Sequence, residues 1–239
     1  MQLQVRRLGL LGIILVVGAA LGACAAPTSA RAGDDAGLFG TREVYSADIT
    51  PFDKWNKMEA RYEQQRRAPQ DLCPTAEGCV TARWDALVAE LRQLPVSERV
   101  ERVNQVLNQL PYVTSVANWQ DPNHWETPYE FLARGGQCQD YAIAKFMALK
   151  ESGMSEQQLR VVVVHDKQVG LDHAITVVYE AEGPVLLDNQ IRSVTPVAAV
   201  ARYAPYYSIN DTGWWMHVKA VTASIHLAAN NGGFQFARN

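Results

Sequence analysis

The chain has 239 residues, of which 48% are hydrophobic and 20% charged, and a formal net charge of −3. Set against its length, that composition suits one domain with a proper core and leaves too little chain for a second. No basic cluster occurs beyond Arg6 and Arg7, so the charge gives no footprint for nucleic acid.

Arg6 and Arg7 precede an apolar run over residues 8–21 that ends in small residues, the pattern of a secretory signal peptide. At about 14 residues the run is shorter than the roughly 20 that a bilayer span needs. It closes on Leu21-Gly22-Ala23-Cys24, which resembles a bacterial lipobox with Cys24 as the lipidated residue, although Gly22 is an imperfect match. Cleavage at a small-x-small site, Ala23-Cys24-Ala25 or Ala30-Arg31-Ala32, is the alternative. Both routes export the mature chain to the periplasm, and only the first anchors it to a membrane. The expected organisation is a signal peptide over 1–24, a flexible linker rich in Ala, Gly, Asp and Ser over 25–50, and one domain over 51–239.

Export permits disulfides. Cys73 and Cys79 sit six apart with Pro74 and Gly78 to turn the chain between them, which predicts a small disulfide loop. A zinc pair is the alternative, but no second pair of ligands stands at metal spacing. With Cys24 lipidated and Cys73 bridged to Cys79, Cys138 is the remaining free thiol.

Phe52, Trp55, Met58 and Tyr62 recur at helical spacing over 51–67, with Pro51 near the first turn. Trp84, Leu87, Val88, Leu91 and Leu94 mark a second helix that stops before Pro95. Ser97 is placed to cap a third, whose stripe is Val100, Val103, Leu107 and Leu110, and Pro111 ends it. Residues 113–123 read as an aromatic loop, followed by Thr127 and Glu130 as a capping box with Pro128 at the first helical position. That short helix runs into Gly135 and Gly136, and a further helix opens at Cys138 and stops at Gly153. Its Ala142 and Ala144 permit close packing against a sheet.

Strands follow over 159–165, 172–179, 185–189 and 213–218, with a further one at 221–227. Helices first and an antiparallel meander afterwards make an α+β fold.

A cysteine in the first turn of a helix meets unsatisfied N–H groups and a partial positive charge, which favour the nucleophilic thiolate. The plain alternative is a small buried apolar residue. Of the five histidines, His124, His165, His173, His217 and His226, His173 stands out because it begins a strand whose hairpin partner ends in Asp188. A turn centred between Glu182 and Gly183 sets Asp188 opposite Val177, on the face of His173 and two residue pairs along. Asn189 could orient the imidazole instead. Taken singly, His173 could be a satisfied strand-end residue and Asp188 a turn cap.

Trp119 with Asp121, Trp125-x-Thr127-Pro128, the run from Gly135 to Lys145 and Asp172-His173-Ala174 together resemble the bacterial transglutaminase-like cysteine proteinases, the LapG-like branch of the papain-fold superfamily. The resemblance covers roughly residues 82–217, and the cysteine motif is its specific part. It implies a papain-like α+β fold with N-terminal helices and an antiparallel sheet packed on the cysteine helix. It also implies a Cys138, His173, Asp188 triad: Cys138 attacks a carbonyl, His173 shuttles the proton and Asp188 fixes the imidazole. The Cys138 N–H is a natural oxyanion donor, and the loop from Trp119 to Trp125 is where a second would be sought.

Members of that branch that bind calcium carry acidic residues on both sides of the cysteine. Here those positions are Gln137 and Gln139, so no cofactor is expected and Asp140 alone would hold calcium weakly. The resemblance further implies a protein or peptide substrate, in the manner of surface adhesins cut near their N-termini, and control by an inner-membrane receptor. Two other readings compete with peptidase action. One is amidase or transamidase action on cell-wall peptides, and the other is an inactive lipoprotein that binds a partner through Trp214 and Trp215.

Overall fold

The computed structural model describes residues 37–73 and 79–219. The signal peptide at 1–24, Cys24, the first part of the linker, and the strand expected at 221–227 with His226 lie outside the described residues. Among those described, no helix is long and apolar enough to cross a membrane.

Helix α1, Asp53–Arg67, buries Trp55, Met58 and Tyr62, and α2, Val80–Gln93, buries Trp84, Leu87, Val88 and Leu91, as their spacing predicts. The Cys73–Cys79 disulfide joins the two segments between them. Helix α3, Val96–Leu107, departs from expectation at both ends. Pro95 occupies the capping position with extended ψ, so Ser97 is already inside the helix and caps nothing, and Leu110 and Pro111 lie beyond its end. The stretch expected to be a loop contains α4, Ser115–Trp119, because the Thr114 hydroxyl accepts the Ala117 N–H and Gln120 closes the turn at φ 55°. Helix α5, Pro128–Arg134, carries the Thr127/Glu130 capping box in full. Helix α6, Cys138–Glu151, is buried on every side from Asp140 to Leu149, and the other elements are built around it.

The strands are β1 Thr41–Ser46, β2 Leu159–Asp166, β3 Leu171–Glu180, β4 Gly183–Leu187, β5 Thr195–Pro196, β6 Tyr203–Asn210 and β7 Gly213–Lys219. They form one antiparallel sheet in the order β1-β7-β6-β2-β3-β4-β5. Two features correct the sequence reading. Thr41–Ser46, placed in the flexible linker, is an edge strand paired along its length with β7, so the folded domain begins before residue 51. The meander holds only for β2 to β5, since β6 crosses back to pair with β2 on its other side. In β6, Pro205 sits at a register shift that leaves Tyr206 unopposed, a bulge of the kind that admits a proline within a sheet.

Alternation along the strands separates two cores. Leu159, Val161, Ala174, Val178 and Leu187 join the large helical core, whereas Val162, Val164, Ile175, Val177 and Leu186 pack on the other side with Leu38, Val197 and Tyr203. The Thr176 hydroxyl donates to the Ala142 carbonyl at 2.8 Å, which fixes α6 along β3 and uses the close approach that Ala142 allows. The tryptophans considered for partner binding are engaged internally. Trp214 packs on Phe52 and donates to the Asp48 carbonyl, while Trp215 lies 3.6 Å from the Arg160 guanidinium and against Tyr45.

Gly135 ends α5 at φ +74°, where a Cβ would lie 2.1 Å from the Pro111 carbonyl oxygen. Gly153, at φ +99°, faces open space. Gly135→Ala is therefore expected to cost about 3 kcal/mol or more and Gly153→Ala about 1 to 2 kcal/mol, measured by urea unfolding of the two variants.

Candidate active site

The site is delivered by a strap of backbone. Pro111 accepts the Gly136 N–H at 3.2 Å and Gly136 accepts the Val113 N–H at 3.0 Å, a short parallel bridge that pins the chain just before α6. A Cβ on Gly136 would meet the Asp140 carboxylate at 2.7 Å, so both glycines are required by close approach. Asp140 reaches back to accept the Gln137 N–H at 2.8 Å and also accepts the Glu126 N–H at 2.8 Å. Gln137 accepts from both the N–H and the hydroxyl of Ser115. These contacts hold the first turn of α6 against α4 and the loop before α5.

Cys138 is the first residue of that turn, half-buried, and a free thiol. From the Thr176–Ala142 anchor, one helical turn back along α6 is Cys138 and three residues back along β3 is His173. The two lie near the N-terminal ends of their elements; the thiol donates to Gln139 Oε1 at 3.6 Å, and Cys138 is among the neighbours that raise the His173 pKa. His173 Nε2 and Asp188 Oδ1 are 2.8 Å apart, with both side chains almost fully buried. An ionised carboxylate can only accept, so Nε2 carries a proton and Nδ1 is the ring nitrogen that Asp188 leaves free. The Gln190 amide approaches Nδ1 at 3.5 Å.

The register differs from expectation in an instructive way. Glu180 pairs with Gly183 and Thr176 with Leu187, so the turn is centred between Ala181 and Glu182, and continuing the ladder sets Asp188 opposite Ile175 instead of Val177. The shift is by two residues, which keeps side-chain parity and leaves Asp188 on the face of His173. It also brings the two closer. Asn189 does not take the orienting role, since Asp188 occupies Nε2.

Burial would lower the basicity of His173, but the Asp188 hydrogen bond, the neighbouring Cys138 and the Asp188 charge outweigh it and raise its pKa to about 9. Burial would raise Asp188, yet the His173 hydrogen bond and charge, the Tyr203 hydroxyl and the Gln190 N–H hold it below the usual carboxylate range. Tyr203 donates to Asp188 Oδ2, and Arg202 donates in turn to the Tyr203 oxygen. Sequence reasoning missed both residues, because β6 carries no regular apolar alternation to announce it.

The other described histidines stand apart from this pair. His124 stacks on Trp119 and meets Arg61 and Glu130, His165 pairs with Asp172 at the surface, and His217 is enclosed between Thr41 and Ser208. Trp119 Nε1 donates to Glu126 Oε1 at 2.7 Å and so is not free to serve as an oxyanion donor.

The residues flanking the thiol were tested for a cation. Gln139 Nε2 donates to Asp140 Oδ2 at 3.1 Å, placing an amide donor where a metal would need oxygen, and both Asp140 oxygens already accept backbone N–H groups. No group of three or more His, Cys, Asp or Glu among the described residues is disposed to hold a metal.

With the geometry in place, a comparison with protein families matches residues 71–223 to the bacterial transglutaminase-like cysteine proteinases. The chain belongs to this family. It is a cysteine-type peptidase with a transglutaminase-like α+β fold. Among solved structures, calcium-bound LapG of Legionella pneumophila is 27% identical with a TM-score of 0.55, over 65% of this chain and 87% of that one. The EGTA-treated form of the same protein is also 27% identical with a TM-score of 0.55, over 65% of this chain and 84% of that one. No curated protein is similar enough in sequence to count as a match.

The pH dependence of stability follows from the two shifts. His173, raised from 6.5 to about 9, contributes stability that is complete below about 6.5 and lost as pH rises through about 9. Asp188, lowered, contributes above the ordinary carboxylate range and loses its contribution as pH falls through its depressed value. The urea midpoint of the native protein is therefore expected to fall between pH 6.5 and 9 by more than that of His173→Gln, measured by fluorescence across that range.

Proposed function

We propose that Cys138, His173 and Asp188 form the catalytic triad of an exported peptidase that cuts a periplasmic or cell-surface protein through an acyl-enzyme. The observation that carries this reading is the buried His173–Asp188 hydrogen bond, which holds the imidazole and leaves its Nδ1 for the thiol at the start of α6. Cys138 Sγ, its proton already held on His173 Nδ1, attacks the scissile carbonyl carbon as the carbonyl π pair moves onto oxygen. The same proton then goes to the departing amine as the C–N bond breaks and a thioester remains. Water attacks the thioester, His173 takes its proton, and the thiol is restored. The Cys138 N–H, in the first helical turn, has no intrahelical acceptor and is oriented to receive the developing oxyanion.

In this reading the signal segment over 1–24 carries the chain across the inner membrane, with Cys24 as the site of a lipid anchor. The reaction proceeds without calcium, because amides stand at the flanking positions and Gln139 bonds Asp140 directly.

The test is to incubate the purified protein and Cys138→Ala with exported proteins of the host and to sequence the new N-termini. New termini are expected with the native protein alone, and the rate of their formation is expected to stay within about twofold when EGTA is added. Cleavage that survives Cys138→Ala would overturn the assignment, and a tenfold or greater loss on chelation would overturn the calcium claim.

A further inference from the structure

Asp188 is buried and its oxygens are met by three hydrogen bonds: Oδ1 accepts from His173 Nε2 and the Gln190 N–H, and Oδ2 from the Tyr203 hydroxyl. The direction of the Tyr203 bond is fixed by chemistry. Arg202 has donors only, so the phenol oxygen must accept from Arg202, and the phenol proton is left for Asp188. Arg202 is held in turn, with Nε 3.4 Å from Asp166 on β2 and its carbonyl accepting the Lys167 N–H at 2.9 Å. The Tyr203 ring itself lies 5.7 Å from the His173 ring and is almost fully buried.

We propose that Tyr203, oriented by Arg202, is a positioning residue that sets how firmly Asp188 holds the His173 imidazolium. The inference rests on the triad assigned above and deepens it. A hydroxyl donating to Oδ2 draws charge away from the carboxylate, and the Arg202 guanidinium, 3.8 Å from Oδ2, competes with the imidazolium for the same charge. Both therefore keep His173 ready to release its proton to a leaving amine instead of trapping it in a tight ion pair. The charged and titratable groups facing the pair are Cys138 and Lys145 from α6, Tyr203 and Arg202 from β6 and the residue before it, and Asp166 from β2 behind Arg202.

The experiment is the rate of Cys138 alkylation by iodoacetamide against pH for the native protein, Tyr203→Phe, Arg202→Met and His173→Ala. In Tyr203→Phe, which keeps the ring and its packing, the alkaline inflection is expected to rise by about half a pH unit or more. Arg202→Met, at a partly exposed side chain, is expected to move it in the same direction and serves where Tyr203→Phe does not fold. Profiles that superimpose on the native one, or that move to lower pH, overturn the inference. The control separates it from the triad reading. If His173→Ala leaves the profile unchanged, the Cys138–His173 pairing itself is wrong. If His173→Ala removes the inflection while Tyr203→Phe does not move it, only the role of Tyr203 falls.

Discussion

A carboxylate withdrawn from water survives as an anion only if donors replace its hydration, and Asp188 is the point at which this fold meets that demand. Its donors come from three places: the start of β3, the turn after β4 and the start of β6. Asn108 at the end of α3 adds a bond to the Asp188 carbonyl at 2.8 Å, so the helical layer also grips this residue. A side chain satisfied by elements this far apart in sequence cannot ionise and pair until the sheet is complete. The geometry of the His173–Asp188 pair is thus a consequence of strand order, in particular of β6 crossing back beside β2.

The cysteine side is built by the opposite means, from local contacts. Two glycines let the chain pass against Pro111 and Asp140 where any Cβ would collide, and Asp140 and Gln137 then cap and tether the helix within a few residues. The Thr176 hydroxyl, bonded to the Ala142 carbonyl, joins this local unit to β3. One half of the site depends on helix capping, the other on sheet registry, and one hydroxyl couples them.

That division explains what was legible in the sequence. The Thr127/Glu130 capping box, the glycine pair, the start of α6 and the hydrophobic runs of β2 and β3 are local signals, and the structure contains each of them. The His173–Asp188 face was legible because parity survives a two-residue shift, even though the turn lay one position earlier than supposed. What could not be read is non-local. β1 is a half-exposed edge strand whose partner among the described residues is β7, so its residues carry no apolar alternation. β6 is interrupted by Pro205 at a bulge, and with β6 unread Tyr203 could not be brought to Asp188. Ser97 misled because Pro95 had already set the extended backbone that a cap requires.

The amides beside the cysteine belong to the same electrostatic logic. Asp140 and Glu126 are both buried near the start of α6; burial raises both, aided by the Glu126 charge at Asp140, which reaches about 7, and by the Glu130 charge at Glu126. Carboxylates at 137 and 139 would add two more negative charges to this pair, a set that only a cation could hold together. Glutamines keep the hydrogen-bonding reach without the charge. Gln137 accepts from Ser115, and Gln139 donates to Asp140, so each supplies one of the ties that hold the α6 start against its surroundings. The first turn of α6 is thereby cross-linked by neutral groups, and the negative charge admitted beside Cys138 is kept to what N–H donors from Gln137, Gln139 and Glu126 can satisfy.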